Sequence, residues 1–106
     1  MGTVNHNKAI RDGIPEIMEQ SGSKYNVKTL SDEEFLIQIE KKLSEEVVEY
    51  QNDKKPEELA DILEVIYKIA QLKGIPKEDL EKIRIKKLEE RGGFEKNLFL
   101  IDTSKD

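Results

Sequence analysis

Apolar residues in the middle of the chain recur at helical intervals. Phe35, Leu36, Ile39, Leu43, Val47 and Tyr50 follow one another at three- and four-residue steps, which lays one apolar stripe along a helix running through about Tyr50. Ser31-Asp32-Glu33-Glu34 ahead of it has the form of a capping box, and Asn52-Asp53-Lys54-Lys55 breaks the pattern behind it. Pro56 suits the first turn of the next helix and Gly74 its end. Between them Leu59, Ile62, Leu63, Val65, Ile66, Ile69, Ala70 and Leu72 cover more than half of the helix circumference, so this element is expected at the centre, packed on several sides.

Pro76 opens a further helix that Gly92-Gly93 closes, and Gly13-Ile14-Pro15 introduces a short one through about Gln20, ended by Ser21-Gly22-Ser23. Residues 25–30 alternate as a short strand would, and the apolar run over 98–101 reads as a short strand or a docking segment. Four helices with short connections predict an all-α fold, an antiparallel bundle of about four helices or a dimer-forming half of one, in a single domain over 1–106.

Composition sharpens this picture. Of the 106 residues only 36% are hydrophobic while 39% are charged and tryptophan is absent, so the core will be thin and a partner subunit is expected, as a homodimer or higher homo-oligomer. Without cysteine there is no disulfide, thiolate metal site or cysteine nucleophile. A net charge of −5 argues against a nucleic acid polymer or an anionic membrane as partner. No run approaches the roughly 18 apolar residues of a membrane span, and the start lacks a basic segment followed by an apolar one, so a cytoplasmic location is expected.

Charge is also uneven along the chain, with acids gathered between Asp32 and Asp61 and bases near the C-terminus. Glu46 and Glu49 lie three residues apart on the second helix, and Glu58 and Asp61 repeat that spacing at the start of the third. If these helices run antiparallel, the two pairs face each other and four hard oxygen ligands converge. That set suits Mg²⁺, with Mn²⁺ as a substitute, whereas zinc would want nitrogen or sulfur ligands and the sole histidine is His6 near the chain start. Glu46 also continues the spacing of Leu36, Ile39, Leu43 and Tyr50, which places it at the flank of the apolar stripe, where a carboxylate is costly unless paired or metal-bound. Glutamates three apart are equally common on solvated acidic helices, so spacing alone leaves both readings open.

On the fourth helix Arg84, Lys87 and Arg91 share a face with Leu80, a basic row expected on the inward-looking side, where it can bind phosphates. Ion pairing with Glu81, Glu90 or the acidic helices accounts for the same row. Lys8 and Arg11, just before the first helix, either anchor the chain start or reach a phosphate or base from a lid-like segment.

Taken together, these residues resemble the all-alpha nucleoside triphosphate pyrophosphohydrolase superfamily, the MazG-like and phosphoribosyl-ATP pyrophosphohydrolase-like proteins. The family pattern E-E-x-x-E followed by E-x-x-D stands here as Glu45-Glu46-Val47-Val48-Glu49 and Glu58-Leu59-Ala60-Asp61. A small subgroup is similar in its opening, Asn7-Lys8-Ala9-Ile10-Arg11-Asp12-Gly13-Ile14-Pro15-Glu16, and in Glu89-Glu90-Arg91-Gly92-Gly93-Phe94-Glu95-Lys96, so the resemblance spans nearly the whole chain. It implies Glu46, Glu49, Glu58 and Asp61 as Mg²⁺ ligands, Glu45 as a supporting or water-orienting acid, and Lys87 and Arg91 as phosphate contacts. The implied reaction is water attack at the α–β linkage of a nucleoside triphosphate or related nucleotide, giving a monophosphate and pyrophosphate, with house-cleaning of the nucleotide pool as its setting. The alternative is a non-catalytic helical module that binds a nucleotide, a metal or a protein partner.

Overall fold

The computed structural model describes residues 2–105, and among these the chain is all-helical: α1 (Ile14–Gln20), α2 (Asp32–Asp53), α3 (Pro56–Leu72) and α4 (Lys77–Arg91). The local signals act as their chemistry dictates. Ser31 Oγ accepts the Glu34 backbone N–H at 3.2 Å, and Glu34 Oε1 accepts the Ser31 N–H at 3.3 Å, so two of the free donors at the start of α2 are satisfied reciprocally. At the other end Lys54 turns left-handed (φ 59°), its N–H reaching Tyr50 O at 2.7 Å, and Pro56 then starts α3 in its first turn.

The turn between Asp53 and Pro56 folds α2 and α3 into an antiparallel hairpin, the principal helix packing of the molecule. Its direction shows in the cross-helix pairs: Glu40 near the start of α2 meets Lys73 just past the end of α3 at 3.7 Å, while Glu49 late in α2 lies beside Glu58 early in α3. Ile39 and Val65 are buried between the helices together with Ala9 from the segment before α1. Phe35, Leu36, Leu43, Ile69 and Leu72 pack around them.

Two expectations change, and a third is met in part. Neither 25–30 nor 98–101 forms a strand, since neither finds another extended segment to pair with; Phe99 and Leu100 are instead exposed. The expected bundle is met in part: α2 and α3 form an antiparallel hairpin and α4 packs on α3, while α1 stays off the helix pair except where Ile14 borders the cleft at its side. The fourth helix buries no residue, so Arg84, Lys87 and Arg91 do not sit on an inward-looking side. Its apolar side chains explain this, because Ile83 and Ile85 point about 200° apart on a helix and make no single stripe that could dock. The result is an elongated molecule of 66 × 31 × 25 Å. Its radius of gyration is 18.7 Å, against about 13 Å for a compact chain of this length. Among the described residues no helix is long and apolar enough to cross a membrane.

So thin a core makes each of its members count. Ile39→Ala is expected to lower unfolding free energy by about 2–4 kcal/mol, whereas Ile37→Ala, on the exposed side of the same helix, should change it by less than about 0.5 kcal/mol. Urea titration followed by helix circular dichroism compares the two, and equal losses would contradict the packing described.

Candidate metal centre

Glu46 is carried into the hairpin interface by the same three- and four-residue rhythm that buries Ile39, and among the described residues it is the one charged side chain that is buried, 6% exposed. Glu49 follows one turn later on α2, and Glu58 and Asp61 come from the first turns of α3 across the hairpin. One carboxylate oxygen from each of the four lies within 4.8 Å of all the others. The convergence expected from the two i, i+3 pairs is therefore present.

Four acids this close repel one another, and their surroundings only partly offset it. Lys42 Nζ sits 3.4 Å from Glu46 Oε1 within α2, and Arg11 Nη2 sits 2.7 Å from Asp61 Oδ1. Glu46 Oε2 and Glu58 Oε2 are buried without any hydrogen-bond partner. Burial, followed by the neighbouring Glu49 carboxylate, pushes the Glu46 carboxyl above its usual range against the pull of Lys42. Burial, then the charges of Asp53 and Asp61, does the same for Glu58. Buried oxygens that lack a donor and crowd other acids are what a hard cation would satisfy, and oxygen-only ligands fit Mg²⁺ or Mn²⁺ in kind.

Beside the cluster opens a cleft of about 250 Å³. Glu46, Glu49 and Asp61 line one part of it, Lys8, Arg11 and Lys42 another, with Ile10 and Ile14 as apolar wall. Lys8 and Arg11 are thus brought to the acids by the N-terminal segment, Lys8 Nζ lying 3.2 Å from Glu45 Oε1. Glu45 stands outside the group of four, held by that lysine. Arg84, Lys87 and Arg91 do not line the cleft; Arg84 instead pairs with Glu81 one turn back on α4. Lys42 escaped the sequence reading, although its place four residues before Glu46, the spacing of a helical ion pair, was a usable signal.

Comparison with family models, with curated proteins and with solved structures gives no match in any of the three, so the case for function stands on this geometry and on the resemblance in the motifs.

The raised carboxyls carry a definite sign. A carboxyl whose folded-state pKa exceeds its unfolded value contributes stability that is fully present below the unfolded pKa and is lost as pH rises through the folded one. In chelator, the melting temperature should therefore carry a falling component as pH climbs from the ordinary carboxylate range, about 4.3 for a glutamate, through the raised values of Glu46 and Glu58. Glu46→Gln should flatten that component, and a profile unchanged by the substitution would show that the crowding of charge is not felt.

Proposed function

We propose that this chain is a divalent-metal-dependent pyrophosphohydrolase that cleaves a nucleoside triphosphate or related nucleotide at the α–β linkage, releasing a monophosphate and pyrophosphate, with removal of unwanted nucleotides as its setting. The observation that carries the reading is the set of four convergent carboxylates with the partnerless buried oxygen of Glu46 among them. The E-E-x-x-E and E-x-x-D motifs, and the cations of the N-terminal segment on the other part of the cleft, support it.

Glu46, Glu49, Glu58 and Asp61 would hold Mg²⁺ or Mn²⁺, which when bound lowers the pKa of a coordinated water and offsets phosphate charge. The chain's own groups do the remaining work. Glu46, buried and paired with Lys42, sets the position of the site, while Glu45, beside the four ligands and held by Lys8, supports them or orients a water. Lys8 and Arg11 offer donors to phosphate oxygens, Arg11 as a planar fork and Lys8 as a point charge. The ion pairs of Arg11 and Lys8 also favour a second reading, in which the acids are neutralised internally and the chain binds a nucleotide, a metal or a protein without turnover.

Pyrophosphate release, screened over standard, deoxy and damaged nucleoside triphosphates with and without Mg²⁺, separates the two. Hydrolysis predicts metal-dependent release from at least one of them, lowered at least about a hundredfold in folded Glu49→Gln and Asp61→Asn variants. Binding without release would favour the second reading.

We further propose that the chain works as a homodimer or higher homo-oligomer. Leu59 and Leu63, one turn apart on a face of α3 away from the core, are half exposed, as are Ile83 and Leu88 of α4, and a second copy supplies matching apolar surface to cover them. Light scattering should give a multiple of the 12.3 kDa chain mass, reduced to one chain by Leu59→Glu with Leu63→Glu; a monomer before substitution would end this proposal.

A further inference from the structure

The segment that precedes α1 is fastened to the hairpin at two levels. Ala9 is buried with Ile39 and Val65, 6% exposed, which fixes the backbone between Lys8 and Arg11. The two side chains on either side of that anchor remain half open to water, Lys8 at 41% and Arg11 at 52%, so they can turn without disturbing it. Both end on acids of the site region, but on acids of different standing. Lys8 takes Glu45, outside the group of four, whereas Arg11 takes an oxygen of Asp61, one of the four. A divalent ion at the cluster and the Arg11 guanidinium therefore claim the same carboxylate. Even with the two oxygens of Asp61 divided between them, the ion repels the guanidinium and weakens its hold on the acid, so the two compete. Once loosened, Arg11 still lines the cleft next to the ion, where a phosphate oxygen is the partner its planar donors fit best.

From this arrangement we infer that Arg11 exchanges partners, from the Asp61 carboxylate to a phosphate of the bound ligand, so that divalent cation and phosphate bind cooperatively. The inference rests on the proposed metal centre and adds to it a residue that makes the site prefer the metal–polyphosphate pair to either component alone. With no anion present, Arg11 holds down metal affinity by competing for Asp61. With an anion present, the same residue draws the anion in and frees the acid, and each ligand tightens the other by the same factor.

The test is a calorimetric titration of the metal-free chain with Mn²⁺, alone and in the presence of inorganic phosphate, with free Mn²⁺ counted by its paramagnetic resonance signal. Arg11→Ala should bind Mn²⁺ about two- to fivefold more tightly than the unaltered chain when phosphate is absent, the range expected when a half-exposed ion pair stops competing. Phosphate should tighten Mn²⁺ binding by the unaltered chain and do so by a smaller factor in Arg11→Ala, where only the ion and Lys8 remain to meet it. Arg11→Lys, which keeps the charge and loses the fork, should retain the competition and lose most of the phosphate effect; it also serves where the alanine variant does not fold. Mn²⁺ affinity that is unchanged or weaker in folded Arg11→Ala, or a phosphate effect as large there as in the unaltered chain, overturns the exchange. Uptake that Glu49→Gln abolishes while Arg11 substitutions leave it unchanged removes this inference and keeps the metal centre; no uptake by the unaltered chain removes both.

Discussion

The constraint on which the rest of this structure depends is the mutual repulsion of Glu46, Glu49, Glu58 and Asp61, held within 4.8 Å by the hairpin of α2 and α3. Two helices packed by Ile39 and Val65 bring like charges together at the end of their own interface. Hydrophobic burial and electrostatics therefore pull against each other along one helix pair. The positions of Lys42 and Arg11 follow from that conflict, since each places a cation where a carboxylate would otherwise lack one. What these cations leave unsatisfied, the inner oxygens of Glu46 and Glu58, is what makes the cluster a candidate metal centre.

Much of this was legible in the sequence because it is governed by short-range rules. The capping box at Ser31, the breaks at Lys54 and Gly74 and the two i, i+3 acid pairs each depend on residues a turn or less apart, and the helices begin and end close to those signals. The placement of Glu46 could be read because a carboxylate that continues an apolar rhythm must share the fate of its neighbours. Relations between distant segments were harder. That Arg11 would meet Asp61 depends on where Ala9 is buried, and an alanine carries no distinctive pattern. The alternation in 25–30 and the apolar run at 98–101 gave strand-like signals, but a strand requires a partner that neither segment has. The basic row of α4 was read as inward because it shares a face with Leu80, yet one leucine amid arginine and lysine is too little apolar surface to turn a helix toward the core.

The elongated outline and the site belong to one account. A hairpin with a thin seam leaves α3 with a second apolar face at Leu59 and Leu63, and α4 with isoleucine and leucine side chains turned in several directions. The wide apolar arc of α3, which at the level of sequence marked it as central, is met by α2 and in small part by α4, with Leu59 and Leu63 left half exposed. The carboxylate cluster lies on the side met by α2, so its geometry rests on the hairpin and the N-terminal segment and not on whatever covers the other face.

The turn at Lys54 and Lys55 acts as a ruler for the chemistry. Each residue added to a helix rotates everything beyond it by about 100°, so one extra residue between Glu49 and Asp53, or between Pro56 and Glu58, would swing half the ligand set away from the other half while leaving both helices intact. Growth by seven residues in each arm, two full turns, comes close to restoring the facing geometry. Length variation in such a hairpin is thus quantised near its closed end, while the stretches before Lys8 and after Gly92 can lengthen or shorten without any change of phase at the acids.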